Sequence, residues 1–340
     1  MVARARDSPF AVGANAALTG LGYRGVFWRG PPRHFEKKAE TTMNQQQNEL
    51  LKSGMVALVG PPNVGKSTLL NGLLGQKISI VSPKPQTTRN RILGIINGTG
   101  YQIVMLDTPG LHKGTIPLNV EMGRIAMEAL TEVDLIIFMV EATMKMPQAD
   151  TDLVECLRGN PTPVVLVINK CDLMSKEKLL PLIQALQGLH EFAAIIPISA
   201  SRADGVDELL KELVALLPEG PLYFPEDIPT DATVRSIAGE IIREKVFLLT
   251  GQEIPYSTAV VIDRFQEGEE LVTIDATIIV EKDSQKGMVI GKKGAKLKEI
   301  GTAARHDIAD LVQTKVMLKL WVKVRKNWTR DPRFLKELGF

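Results

Sequence analysis

Cysteine is nearly missing from this sequence. The two residues present, Cys156 and Cys171, cannot build a disulfide scaffold, and no CxxC pair marks a zinc site. A reducing, cytosolic setting fits this usage. No stretch approaches the roughly 18 uninterrupted apolar residues of a membrane helix, so no span is expected. No secretory hydrophobic region opens the chain. Aromatics make up only 5% of residues, so nucleic-acid recognition, if any, should lean little on base stacking. No solenoid repeat is visible. What remains is 340 residues, 44% hydrophobic and 24% charged, a globular composition sized for about two domains.

The net charge of +2 hides an asymmetry. Residues 282–340 hold 15 Lys+Arg against 6 Asp+Glu, residues 1–42 hold 7 against 3, and residues 43–281 hold 19 against 30. An acidic body with a basic end implies that the end meets a polyanion. Residues 1–49 lack sustained periodicity, and three readings of them stand open. They are a disordered or mis-annotated extension, with translation starting at Met43; an Arg-rich organelle transit peptide; or a basic arm for RNA.

From residue 50 to 218, short β-rich runs alternate with helical patterns. The runs are Met55–Gly60, Ile92–Ile96, Gln102–Leu106, Leu135–Val140, Val164–Ile168 and Ala194–Ile198. This order predicts an α/β domain with a mostly parallel, doubly wound sheet. The second and third runs are close enough to pair as an antiparallel hairpin. Residues 219–233 carry a run of prolines and read as a semi-rigid linker. Residues 234–326 then segregate helix, two strands, two helices and a strand, an α+β domain that should act separately from the first. Residues 327–340 form a tail whose last stretch reads as a short helix.

Gly60-Pro61-Pro62-Asn63-Val64-Gly65-Lys66-Ser67-Thr68 carries G-x-x-x-x-G-K-[ST] between a strand and a helix, the context that gives the pattern meaning. Glycines let backbone N–H groups curl around phosphate, and the helix N-terminus adds partial positive charge. Lys66 can reach the β- and γ-phosphates and the Ser67 hydroxyl can ligate magnesium. Asp107-Thr108-Pro109-Gly110 ends the third strand, where ligands bind in such sheets. Asp107 suits magnesium through a water, and the Gly110 N–H suits the γ-phosphate. Between them, Thr87 and Thr88 offer a hydroxyl to the metal, with Thr88 favoured; Lys66, Thr88 and Gly110 form the expected catalytic set. Asn169-Lys170-Cys171-Asp172 follows the fifth strand. The Asp172 carboxylate can accept guanine N1 and N2, a donor pair adenine lacks. Asn169 should tie this loop to the phosphate loop, Lys170 should lay its stem on the base, and Ser199-Ala200-Ser201 should offer an N–H to guanine O6.

In the second domain Ile290-Gly291-Lys292-Lys293-Gly294 joins two helical stretches, followed by Lys296 and Lys298. A GxxG loop with basic residues is how KH modules clamp about four nucleotides. The strand at 320–328 alternates apolar and basic residues and suits one buried and one cationic face. A metabolic P-loop enzyme such as a nucleotide kinase would not need the base-reading Asn169–Asp172 motif. A constitutive RNA-binding protein with a vestigial GTPase domain stands as the alternative function, and intact Lys66, Ser67, Asp107 and Asp172 weigh against it.

Together, GPPNVGKSTLLN, PQTTR, DTPG, NKCD and SAS, followed by KDSQKGMVIGKKGAKLKEIG, resemble the Era family of bacterial GTPases over roughly residues 50–340. The resemblance implies a GTPase domain joined to a type II KH domain, a monomer that binds the 3′ end of small-subunit ribosomal RNA and assists assembly of that subunit. Some such proteins associate loosely with the inner face of the plasma membrane, which nothing in this sequence specifies. Related GTPases imply a potassium ion at Asn63. Leu111 stands where Ras-like GTPases place a water-orienting Gln and cannot polarise water; His112 beside it reads better as a loop residue than as a base. Slow intrinsic hydrolysis is expected, accelerated by potassium, RNA or the ribosomal particle.

The base-reading assignment is testable directly. Asp172→Asn should weaken GTP binding by roughly 10²–10⁴-fold and favour xanthosine triphosphate, whose 2-oxo group can accept from the Asn amide. Titration of the folded variant with both nucleotides checks it; unchanged GTP affinity would remove Asp172 from the base site.

Overall fold

A computed structural model describes residues 51–339 except 83, 85, 86, 111–115, 144–147, 252, 253, 255 and 256, with backbone only for 148–152. The expectations for residues 1–49, Leu111 and His112 lie outside the described residues.

The first part of the chain alternates as its pattern predicts: β1 (Leu51–Val59), α1 (Lys66–Leu74), β2 (Ile92–Gly98), β3 (Tyr101–Asp107), α2 (Pro117–Glu128), β4 (Leu135–Glu141), α3 (Gln148–Leu157), β5 (Val164–Asn169), α4 (Lys176–Gln187), β6 (Ala194–Pro197) and α5 (Val206–Leu216). The sheet order is β2-β3-β1-β4-β5-β6. All neighbours pair in parallel except β2 and β3, which form the expected antiparallel hairpin. Continuous apolar runs such as Val164–Ile168 suit strands buried on both faces. The carboxyl ends of β1, β3 and β5 therefore emerge at the same end of the sheet, with β4 between β1 and β5.

The proline-rich segment departs from the linker expectation. Its start, β7 (Glu219–Gly220), pairs antiparallel with Leu51 and Lys52. The rest is bound along the β2–β3 hairpin. Pro229 accepts from the Ile95 N–H at 2.8 Å, and the Thr230 hydroxyl donates to the Leu93 carbonyl at 2.6 Å. The buried Gln102 amide is used completely. It donates to Asn97 and the Phe224 carbonyl and accepts the Tyr223 and Phe224 N–H groups, all within 3.0 Å. Phe224 and Ile228 pack on the hairpin's apolar side. Proline removes donors and fixes φ, but the intervening residues still offer polar groups, and the hairpin edge has partners for them. The segment is a strap.

The second part runs α6 (Val234–Leu249), β8 (Ala259–Gln266), β9 (Leu271–Val280), α7 (Asp283–Ile290), α8 (Ala295–Val312) and β10 (Lys315–Val324). Thr233 caps α6 by accepting the Ser236 N–H. The three strands lie in the order β10-β9-β8, with β9 and β10 parallel and β8 and β9 antiparallel. The tail is no appendage. Trp328 is fully buried and donates its indole N–H to the Ser257 carbonyl. Asp331 caps a final helix, α9 (Pro332–Glu337), which buries Phe334 and Leu335 against Leu118 and Met122 of α2.

The two parts do not act as separate bodies at this contact, as the sequence suggested they should. The stretch 77–89 lies against α6. Lys77 pairs with Glu244 at 2.5 Å and Asp307 at 2.9 Å, Glu244 accepts the Val81 N–H, and Arg243 donates to the Thr87 carbonyl. Burial raises the Asp307 carboxyl, but Lys245 and Lys77 outweigh it and hold it below its ordinary range. The partners are more than 150 residues apart in sequence, so no local pattern announces them.

The strap predicts its own weak point. Gln102→Leu should cost about 1–3 kcal/mol by stranding the backbone groups of residues 223 and 224. Urea unfolding should show the loss, and limited proteolysis should cut between residues 221 and 229 faster than in the parent.

Candidate functional site

β1 delivers the chain to Gly60, where a Cβ would lie 2.3 Å from the Met139 carbonyl oxygen of β4. Gly65 sits at φ 108°, and a Cβ there would meet the Asn169 amide at 2.3 Å. These two glycines let the loop run close to two neighbouring strand ends before α1 begins. Lys66 is buried, and its ammonium donates back to the carbonyls of Gly60 at 2.8 Å and Pro61 at 2.9 Å. The Lys66 charge is thus held over the loop whose N–H groups face an anion site.

Asp107 ends β3 fully buried. Three hydroxyls converge on its Oδ2: Ser67 at 2.7 Å, Ser79 at 2.9 Å and Thr88 at 3.3 Å. Ser67 and Thr88 also lie 2.9 Å apart, so one hydroxyl proton is shared between the neighbouring oxygen and Asp107. Burial pushes the Asp107 carboxyl up, only partly offset by the Lys66 charge and the three hydroxyls. Its Oδ1 has no hydrogen-bond partner among the described residues. An all-oxygen donor set with one orphaned carboxylate oxygen fits a hard divalent cation such as magnesium. Of the two threonines, Thr88 turns inward, while the Thr87 hydroxyl donates to the Lys84 carbonyl. Thr108 is spent on the fold, donating to the Leu58 carbonyl. Gly110 packs so close to Pro62 that a Cβ would meet its nitrogen at 2.9 Å.

Asn169, at the end of β5, donates to the Val64 carbonyl at 2.7 Å and accepts the Ala200 N–H at 2.9 Å. One side chain therefore ties the phosphate loop to both loops expected around the base. Lys170 adopts φ 64° and pairs with Glu141 at 2.8 Å, which anchors the ammonium and fixes the stem. Asp172 accepts the Ser199 hydroxyl at 2.8 Å and lies 3.4 Å from Arg202. These residues surround a cleft of about 430 Å³ lined by Pro62, Asn63, Lys66, Ser67, Thr68, Thr88, Gly110, Asp172 and Ser201, among others. The motif reading missed Ile80, Val81, Ser82 and Leu173, which also line it, and the buried Ser79. No motif flags them, because they come from an irregular stretch and a turn.

In the second domain, α7 ends at Gly291 with φ 71° and ψ 179°, a conformation open essentially to glycine alone. A Cβ there would meet Lys296 Cβ at 2.6 Å. Gly294 at φ 79° has open space and starts α8. Lys292, Lys293 and Lys298 are exposed, whereas Lys296 pairs with Glu299 at 2.7 Å. Val289 and Ile300 belong to the core, Leu297 packs partly against it, and Ile290 is half-buried. Along β10, Lys315, Lys319 and Lys323 share one face with exposed Met317 and Trp321, while Val316, Leu318, Leu320 and Val322 turn inward.

Asp107 gives the nucleotide-free protein a pH signature. Its folded-state pKa lies above the ordinary carboxyl value of 3.8, so its contribution to stability is present below that value and is lost as pH rises through the raised one. The melting temperature of the parent should therefore fall relative to Asp107→Asn between pH 4 and pH 8, by about 2–4 °C for each kcal/mol. Parallel slopes for the two proteins would contradict the buried charge.

Comparison with known proteins places this geometry. Residues 55–170 match the family described as 50S ribosome-binding GTPase, and residues 253–329 match the KH domain. GTPase Era of Syntrophus aciditrophicus is 53% identical over 293 residues, covering 86% of this chain and 96% of that protein. GTPase Era of Geobacter metallireducens is 55% identical over 291 residues, covering 85% and 98%. Two crystal structures superpose with a TM-score of 0.82 at 43% identity, covering 85% of this chain and 99% of theirs. One is a single-residue variant of Aquifex aeolicus Era bound to GDP.AlF4-. The other is Era in complex with MgGDPNP and nucleotides 1506–1542 of 16S ribosomal RNA. A phosphate loop, a buried strand-end carboxylate and a base loop on one sheet, followed by a KH domain, and relatives matched over nearly their whole length, make this chain a member of the Era family of GTPases.

Proposed function

We propose that this chain is a GTP-driven switch that binds the 3′ region of small-subunit ribosomal RNA and assists assembly of the small ribosomal subunit. The observation that carries this reading is the Era complex holding MgGDPNP and 16S RNA together, at 43% identity over 85% of this chain. The GTPase family match is described by the 50S particle, but it spans only residues 55–170, the nucleotide-reading part. The RNA partner depends on the other domain. The division we assign is 50–218 for the GTPase part, 219–233 for the strap, 234–326 for the KH part and 327–340 for the docked tail.

In this reading the Gly60–Thr68 loop cradles the phosphates with its N–H groups, of which Pro61 and Pro62 have none, Lys66 exchanges its loop carbonyls for phosphate oxygens, and the Gly110 N–H meets the γ-phosphate. Asp172 accepts from guanine N1 and N2, and the loop of Ser199, Ala200 and Ser201 meets O6. Ser67 and Thr88 would hold magnesium directly and Asp107 would do so through water; Thr87 lines the cleft, but its hydroxyl is turned to Lys84. Magnesium, when bound, neutralises charge on the β- and γ-phosphates. A potassium ion at Asn63, which lines the cleft, would supply charge beside the same phosphates. The reading of Asn63 and that of loose peripheral contact with a membrane rest on resemblance; no helix among the described residues is long and apolar enough to cross one. Hydrolysis is slow without potassium, RNA or the particle.

RNA is bound through the Ile290–Gly294 loop, with Lys292, Lys293 and Lys298 free to meet phosphates and Lys296 first giving up Glu299. Gly291 is a poor test site, because any side chain there clashes with Lys296 and strains the backbone. Gly294 has room, and Asp tolerates its left-handed conformation better than most residues. Gly294→Asp should therefore fold and lose RNA affinity by like-charge repulsion. Replacing Lys292 and Lys293 together by Ala should weaken binding to many RNAs and flatten the salt slope by about one to two units. Filter binding to an RNA of the 16S 3′ region across a salt series checks both. Parental affinity and slope in the folded variants would take the loop out of the RNA site.

A further inference from the structure

Ser79 belongs to none of the nucleotide motifs, yet it is completely buried beside the Asp107 carboxyl. Its hydroxyl donates to Asp107 Oδ2 at 2.9 Å. Its backbone is held by a single side chain, Asn71 of α1. Asn71 Oδ1 accepts the N–H groups of Ile78 at 3.1 Å and Ser79 at 3.0 Å, and Asn71 Nδ2 donates to the Ser79 carbonyl at 2.7 Å. Asn71 lies four residues after Ser67 on the same helix, so the two share a face. The helix that presents Ser67 to the phosphate site thus also fixes where the Ser79 hydroxyl stands.

Ser67 and Thr88 must turn toward a metal if they are to ligate it. Ser79 has no such second task, and its hydroxyl has no other partner among the described residues; a buried hydroxyl is costly to leave unpaired. We infer that Asn71 and Ser79 are positioning residues for the GTPase reaction: Asn71 sets Ser79, and Ser79 pins Asp107 Oδ2 so that the orphaned Oδ1 is left for the water shell of magnesium. This rests on the magnesium reading above. Groups that orient a metal's carboxylate or its neighbours carry about 10–100-fold of metal affinity in other sites.

The test uses the full chain and release of a fluorescent GDP analogue, followed with increasing magnesium chloride and in EDTA. In the parent, magnesium should slow release. Ser79→Ala should raise the magnesium concentration for half-maximal slowing about 10-fold while leaving release in EDTA unchanged. Asn71→Ala should shift the midpoint in the same direction. The double variant should shift it no further than the larger single effect, since the two act in series. A parental midpoint in folded Ser79→Ala overturns the inference. So does an equal acceleration of release with and without magnesium, which would make Ser79 a support of the loop alone. Parent release that ignores magnesium would instead strike the metal reading on which the inference rests.

Discussion

A carboxyl group taken wholly out of water organises this molecule. Asp107 stands at the end of a central strand with no solvent exposure, and an isolated carboxylate there would be costly. Its compensation comes from three hydroxyls on three stretches of chain: Ser67 on the phosphate-loop helix, Ser79 on the turn behind it, and Thr88 on the segment that follows. Lys66 adds charge from one side. The same acid that suits a divalent cation therefore gathers the phosphate loop and the 77–89 stretch around itself.

That stretch has two masters. Thr88 faces Asp107, while its neighbours face the KH part. Arg243 donates to the Thr87 carbonyl. Arg89 is buried, donates to the Thr258 carbonyl at 2.7 Å and lies 5.7 Å from the Trp328 ring. Burial, and then the nearby Arg243 charge, pull the Arg89 guanidinium down to about 9, which still leaves it charged at neutral pH. A guanidinium buried this way is costly to leave without its acceptors, so these carbonyls must stay in reach. Residues 87–89 thus touch the Asp107 site, α6 and the docked tail within three positions of the chain.

The sequence was legible where chemistry is local. Contiguous motifs revealed the phosphate loop, Asp107, the base loop and the Gly291–Gly294 turn, and their order along alternating strands predicted the parallel sheet. Asn169 could be assigned to tying two loops together because its place in the motif implied it, and its bonds to Val64 and Ala200 bear that out. Apolar periodicity likewise sorted β10 into an inward apolar row and an outward lysine row, although Trp321 joins the lysines rather than the core.

Contacts across long sequence distances were decided only by folding. Proline content marked residues 219–233 as stiff but was silent on the β2–β3 hairpin, where the buried Gln102 of β3 offers a fully matched amide. Lys77 and Glu244 are ordinary charges until the fold brings them within 2.5 Å. Thr87 and Thr88 are adjacent and chemically alike, so composition and spacing left both open. Their side chains point different ways once the backbone is pinned on one side by Asp107 and on the other by Arg243. Residue type determines which chemistry a chain can perform; which of two equivalent groups performs it depends on the direction a packed backbone gives each side chain.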